Sequence, residues 1–245
     1  MRSRAVAAAL ALVLGAGGCG AGSQLKVSAA SSLKQAFTSY GRAFHARFSF
    51  AGSDQLAAQI RAGAGPDVYA AANTKLPAAL FAAGLVEQPV VFASNRLVIA
   101  VPAQGAKVRT LADLARPGVT IAAGAAAVPV GAYTREVLAR LPAAEARAIQ
   151  SNFRSEEPDV AGVVGKISQG AVDAGFVYET DVLASGGRLR AIDLPTRVKP
   201  VVDYAAAVVR GSGHRARAER FVRGLLGRAG RGALQAAGFT PPPRR

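Results

Sequence analysis

The chain has 245 residues, with 30 Lys and Arg against 15 Asp and Glu, and it is 51% hydrophobic but only 6% aromatic. That apolar fraction excludes a disordered or collagen-like chain, and one Cys with two His excludes both an internal disulfide and a Cys/His zinc site. A net charge of +15 makes an anionic partner the first question.

At the N-terminus Arg2 and Arg4 precede an unbroken apolar run from Ala5 to Leu14, followed by Gly15-Ala16-Gly17-Gly18-Cys19. A positive segment, an apolar run too short to span a bilayer and a zone of small residues predict a signal peptide over residues 1–18. Cys19 resembles the lipidated cysteine of bacterial lipoproteins, although their usual Leu three residues earlier is Ala16 here. Residues 19–23 are therefore expected to form a lipid anchor and tether. That puts the mature chain on the outer face of the cytoplasmic membrane or in the periplasm, or makes it a secreted soluble protein if Cys19 is not lipidated.

Leu25 to Ala30 reads as a short strand that ends at Ser31-Ser32, where Leu33, Ala36, Phe37, Tyr40 and Phe44 take up helical spacing. The unit recurs: Arg47 to Ala51 leads through Gly52-Ser53-Asp54 to Leu56 and Ile60. Asp67 to Ala70, Leu97 to Val101 and Val119 to Ala122 read as further buried strands between helical stretches. Alternating strand and helix predicts an α/β fold of mostly parallel sheets flanked by helices. Two strands, Ser94 to Val101 and Val201 to Val209, lead from one composition context into another. If both cross, residues 24–97 and 204–245 form one lobe and residues 98–203 the other.

Residues 210–245 carry nine Arg and a single acid, Glu219. Nucleic-acid binding would want stacking aromatics or a recognition motif beside that charge, and neither is there. Ala218, Phe221, Val222, Leu225, Leu226 and Ala229 instead fall at helical spacing among the arginines, as in an amphipathic helix with a solvated basic face. Weak attraction to anionic lipid is the second reading of that face.

Catalytic chemistry finds little support. His45, in a predicted helix, and His214, in a basic turn, have no motif partner and read as surface histidines. Glu156-Glu157 and Glu179 with Asp181 read as loop solvation and helix capping, and the glycines around Gly162 fit no phosphate loop. What recurs is the helix start: after Ser32, at Ser53-Asp54, at Val130-Gly131-Ala132 and at Asp159-Val160-Ala161. Each leaves about four backbone N–H groups unpaired at a partly positive helix end, so several aimed at one cleft could hold a small anion without a salt bridge.

In this order the residues resemble the molybdate-binding proteins of bacterial ABC transporters, within the type II periplasmic solute-binding proteins. Ala29-Ala30-Ser31-Ser32-Leu33 is similar to the family's first anion loop, and Phe50-Ala51-Gly52-Ser53 with Gly65-Pro66-Asp67-Val68-Tyr69 to its second loop and the strand that follows. Asn95-Arg96-Leu97-Val98 resembles its first crossover, Val128-Pro129-Val130-Gly131-Ala132-Tyr133 its third loop, and Asp159-Val160 its fourth. Asp173 to Asp181 resembles the strand that carries its ligand tyrosine, and Ala237-Gly238-Phe239 its usual ending.

The resemblance implies a two-lobed fold with the ligand cleft between the lobes, closing by a hinge at the two crossovers. It implies oxyanion binding by Ser32 and Ser53 through hydroxyl and backbone donors, by Val130 and Val160 through backbone N–H groups, and by Tyr178 through its phenol. Ser31 offers a second hydroxyl beside Ser32, and Val130 stands where the family's pattern has alanine. No cofactor and no metal site are expected, since molybdenum would be bound only as the oxyanion. The implied protein is no enzyme. It is a monomer that hands molybdate or tungstate to a membrane permease. Sulfate or phosphate would be the other ligands for such a site. Ferric iron would want clustered tyrosines, and a non-transport envelope lipoprotein would use only the basic face.

Overall fold

The computed structural model describes residues 24–243. The expected signal peptide, Cys19 and the tether lie outside the described residues. Ten strands and nine helices follow in chain order within them: β1 Leu25–Ala30, α1 Lys34–Tyr40, β2 Ala46–Ala51, α2 Ser53–Arg61, β3 Val68–Ala71, α3 Lys75–Ala82, β4 Val90–Asn95, β5 Leu97–Pro102, β6 Ile121–Gly124, α4 Pro129–Ala139, α5 Ala143–Ser151, β7 Phe153–Glu157, α6 Val160–Ser168, β8 Ala174–Tyr178, α7 Glu179–Ala184, β9 Leu189–Asp193, β10 Val202–Val208, α8 Arg215–Gly224 and α9 Arg228–Ala236.

The strands form two five-stranded sheets on one plan, β2-β1-β3-β10-β4 and β7-β6-β8-β5-β9. In the first, β1 runs parallel to β2 and β3, while β10 is antiparallel to β3 and β4. In the second, β6 runs parallel to β7 and β8, while β5 is antiparallel to β8 and β9. The sheets are thus mixed, parallel at one side and antiparallel at the other. The fourth strand of each is the one that arrives from the other sheet. A parallel neighbour needs a long helical crossover, whereas a strand entering directly from the other lobe can pair antiparallel.

The chain passes between the two sheets twice, from β4 to β5 and from β9 to β10. Leu97 already pairs with Tyr178 in the second sheet, and Val202 and Asp203 pair with Asn95 and Ser94 in the first. Arg96 alone separates β4 from β5. Its guanidinium is held by the Glu179 carboxylate and, at 3.5 Å, by Asp193.

Two local expectations change. His45 is not helical: α1 stops at Tyr40, a 3-10 turn follows, and His45 takes φ 48° to turn the chain into β2. The basic C-terminal segment is two helices, broken at 225–227, because Gly227 N–H bonds back to the Gly224 carbonyl and closes the turn.

Between the first sheet and α1, α8 and α9 lies an aromatic core. Phe37 is fully buried and meets Phe221 edge-on at 5.5 Å, with Phe92 at 5.8 Å and Phe48 at 6.1 Å. The Tyr40 hydroxyl donates to the Phe221 carbonyl at 2.8 Å, which ties α1 to the C-terminal helix. The arginines of α8 face outward, while Ala218, Phe221 and Val222 are buried. Phe37→Ala should cost about 3–5 kcal/mol in urea unfolding, since the ring is enclosed on all sides and the gap cannot collapse.

Candidate anion-binding site

A small cavity lies between the two sheets, lined by Ala30, Ser31, Ser32, Gly52, Ser53, Val130, Asp159, Val160 and Tyr178 among others. Its walls are the carboxyl ends of β1, β2, β3, β6, β7 and β8, the position at which open α/β sheets present helix N-termini to a ligand. Ser32, Ser53, Val130, Val160 and Tyr178, set far apart in the sequence, all reach it, and both Ser31 and Ser32 line it.

Three helices start at its wall. Helix α2 begins at Ser53 immediately after β2, and α6 begins at Val160 with Asp159 as N-cap, its Oδ1 accepting from Gly162 N–H at 2.9 Å. Helix α4 starts with Pro129 after Val128, a residue type suited to the first turn because that N–H would be unpaired anyway. Gly131 lets α4 sit against the end of β6, since a Cβ there would run into the Gly124 and Ala125 carbonyl oxygens. The Val130 N–H belongs to that first turn, where no intrahelical acceptor exists.

The Ser53 hydroxyl is oriented by its neighbours. It accepts from the Ala72 N–H at 3.1 Å, and a backbone N–H can only donate, so the hydrogen of Ser53 is left for another acceptor. The Tyr69 hydroxyl donates to the Ser53 carbonyl at 2.7 Å and fixes the start of α2.

Tyr178 supplies the most telling group. Tyr178 is 1% exposed, yet among the described residues its hydroxyl has no hydrogen-bond partner. A buried polar atom left so costs about 1–3 kcal/mol, and sites that retain one generally have a use for it. Burial, reinforced by Tyr204, Tyr133 and Asp181 nearby, holds the phenol well above its ordinary pKa, so it is a neutral O–H donor.

Among the described residues no Lys, Arg or His lines the cavity. Asp159, its one charged residue, is engaged in capping α6. The arrangement can therefore offer hydroxyl and backbone N–H donors to a fully deprotonated small anion. It holds no nucleophile-base pair, and no cluster of metal-ligating side chains occurs among the described residues. The carboxylates considered from sequence are occupied elsewhere: Glu179 binds Arg96, Glu156 pairs with Arg135 at 2.6 Å, and Asp181 Oδ2 accepts from Tyr178 N–H at 3.0 Å. His214 is not a plain surface side chain, because its Nδ1 lies 3.2 Å from Asp67 Oδ1, with Asp67 itself buried.

Polar groups behind the cavity were not evident from sequence. Tyr204 on β10 lies with its hydroxyl 2.9 Å from Ser32 Oγ, and Asn95 Nδ2 reaches both Thr180 Oγ1 at 2.9 Å and Tyr204 Oη at 3.4 Å. The one available signal was the Asp203-Tyr204 pair at the start of an otherwise small and apolar strand.

Asp181 also makes the fold pH-sensitive. Burial, with Asp159 adding to it, pushes its carboxyl up from 3.8 to about 7. The folded state then binds that proton more tightly than the unfolded state, so the contribution is complete below about pH 4 and is lost as pH rises through about 7. Asp181→Asn keeps the acceptor for Tyr178 N–H and should flatten the decline in unfolding free energy between pH 5 and pH 8; an unchanged slope would remove Asp181 as its source.

Residues 25–240 match the bacterial extracellular solute-binding protein family. The molybdate-binding protein ModA of Mycobacterium tuberculosis strain H37Rv is 37% identical over 225 residues, covering 88% of this chain and 84% of that protein. A Bacillus subtilis protein described as the putative ABC transporter substrate-binding lipoprotein YvgL is 27% identical over 200 residues, covering 78% of this chain and 74% of its own. Among solved structures, the periplasmic molybdate-binding protein of Azotobacter vinelandii superposes with a TM-score of 0.79 at 23% identity, covering 90% of this chain and all of that one. The two mixed sheets, the cavity between them and these matches together make the chain a member of the bacterial extracellular solute-binding protein family.

Proposed function

We propose that this protein captures molybdate, and tungstate with it, outside the cytoplasmic membrane and delivers it to the membrane permease of an ABC importer. The observation that carries the reading is the buried, unpartnered Tyr178 hydroxyl in a cavity whose other polar groups are neutral donors. Ser32, Ser53 and Tyr178 donate through their hydroxyls, and Ser32, Ser53, Val130 and Val160 through backbone N–H groups. The relatives named for molybdate binding support the choice of ligand.

The chemistry favours such a ligand. Molybdate and tungstate are dianions without a hydrogen to donate, so a site of donors satisfies every oxygen, whereas a protonated anion would need an acceptor. The cavity also lacks a fixed cation, and neutral donors let the anion leave when the lobes part. Molybdenum enters only inside its oxyanion, as cargo, and the protein works without a cofactor or a catalytic step. It acts as a monomer, and it is tethered through a lipid at Cys19, the tether being supported by the lipoprotein among the relatives.

Thermal unfolding with molybdate, tungstate, sulfate or phosphate at equal ionic strength tests the reading. A ligand at about a thousand times its Kd adds roughly 4 kcal/mol, or about 10 °C for a chain of this size. Stabilisation by molybdate and tungstate alone is expected; equal stabilisation by sulfate would make this a general oxyanion binder, and no response to any of them would end the proposal. Tyr178→Phe removes one hydrogen bond to a charged ligand and should weaken binding by about 1.5–3 kcal/mol, measured by titration calorimetry.

Closure of the lobes should depend on Gly52. This residue lies between β2 and α2, and an added Cβ would be driven into the carbonyl oxygen of Pro158, which comes from the other lobe. Its φ of −59° and ψ of 135° suit alanine, and although the Cβ would also come within 2.8 Å of Asp54 Oδ1, that side-chain end can move aside, so the obstruction that cannot yield is the Pro158 carbonyl where the lobes meet. Gly52→Ala should weaken molybdate binding at least about tenfold, about 1.4 kcal/mol, with the ligand-free unfolding temperature lowered by no more than a few degrees.

A further inference from the structure

Ser32 presents a question that its position alone does not answer. A hydroxyl carries one hydrogen and can accept as well, so at the wall of an anion cavity it can show the ligand either a donor or a lone pair. Only a donor suits a dianion, and a lone pair there would repel it. The direction is settled by what stands behind Ser32.

The Arg96 backbone N–H donates to the side-chain oxygen of Asn95 at 2.8 Å. An N–H has no acceptor capacity, so this contact assigns Oδ1, and Nδ2 must be the atom that faces Thr180 Oγ1 at 2.9 Å and Tyr204 Oη at 3.4 Å. Asn95 Nδ2 is a donor only, so the Tyr204 oxygen accepts from it. The Tyr204 ring is fully buried, and its own hydrogen needs an acceptor. Among the described residues Ser32 Oγ, 2.9 Å away, is the one acceptor hydrogen-bonded to it. Burial keeps the Tyr204 phenol protonated, its pKa well above the ordinary value. Ser32 therefore accepts from Tyr204, and its own hydrogen is left to point into the cavity.

We infer that Tyr204 and Asn95 are positioning residues that polarise Ser32 into a hydrogen-bond donor toward the ligand, so that selectivity for a fully deprotonated oxyanion is set by a chain of three side chains, two of which do not touch the ligand. The inference rests on the proposed oxyanion site. The chain starts at the hinge: Asn95 is the last residue of β4, its amide is oriented by the crossover residue Arg96, and its Thr180 partner lies on α7 of the other lobe. Ser53 reaches the same state by a shorter route, through the Ala72 N–H.

The test is a double-mutant cycle on molybdate affinity by titration calorimetry, using the full chain. Tyr204→Phe keeps the ring against Phe239, at 5.2 Å, and Phe92, at 6.4 Å, and removes only the hydroxyl. Alone it should weaken molybdate binding about tenfold, and in the Ser32→Ala background it should change affinity less than about twofold, because its effect runs through Ser32. A second variant, Asn95→Asp, reverses the chain by giving the Tyr204 hydrogen a carboxylate to bond, which leaves Ser32 to donate to Tyr204 and show its lone pair to the ligand. The ratio of molybdate to phosphate affinity at pH 6 should then narrow at least about fivefold, and Ser32→Ala should abolish that narrowing, which separates polarity from added charge. Molybdate binding by the parent protein with a Tyr204→Phe effect that is absent, or equally large with and without Ser32, overturns the inference and leaves the site standing. An unchanged affinity ratio in Asn95→Asp does the same. No molybdate binding by the parent protein overturns both.

Discussion

A doubly charged anion can be taken out of water only where every one of its oxygens finds a donor, and in this protein that demand falls on groups with no formal positive charge. Backbone N–H groups meet it because helix N-termini leave their first donors unpaired and carry a partial positive charge. The two sheets supply them in the right place. Strands β1, β2, β6, β7 and β8 all end at one cavity, and α2, α4 and α6 begin there. Without the shared strand direction the helix ends would be scattered over the surface, each a weak anion site in water.

The same constraint governs the hydroxyls. A serine is useful to a dianion only if its hydrogen is available, so something behind it must donate to its oxygen. For Ser53 that donor is the Ala72 N–H, and for Ser32 it is the Tyr204 hydroxyl. Tyr178 differs, because among the described residues its hydroxyl has no hydrogen-bond partner of good geometry. The cavity is thus built at a cost of about 1–3 kcal/mol in an unpaired buried group. In the proposed function this is offset when an anion is bound.

Among the described residues, none of the chain's lysines or arginines lines this site. Arginines of α8 lie on its outer face, with Arg215 and Arg223 paired to Glu219 and Arg215 also to Glu87. Hydrophobic packing of Phe221 against Phe37 and Tyr40 holds that helix to the first sheet. Surface charge can raise the local concentration of anions. Recognition inside the cavity depends on hydrogen-bond direction, which long-range charge does not convey.

Much of this was legible in the chain itself. Alternating strand and helix patterns over Leu25–Ile60, the helix starts at Gly52-Ser53 and Asp159-Val160, and the apolar spacing of the C-terminal segment are local properties, set by side-chain periodicity and capping chemistry within a few residues. The ordered motifs from Ala29-Ala30-Ser31-Ser32 to Asp173–Asp181 identified the resemblance. Other features depend on residues far apart in sequence. The antiparallel halves of both sheets follow from how β5 and β10 enter from the other lobe, and the helix break at 225–227 from a turn closed by Gly224 and Gly227. The pairing of His214 with Asp67 joins positions 147 apart. The bond between Tyr204 and Ser32 joins positions 172 apart. The sequence by itself determined which donors the protein owns and the order in which the chain meets them. Only the tertiary structure decided which way their hydrogens point, because a hydroxyl takes its direction from the partner behind it, and that partner is brought there by the packing of two sheets.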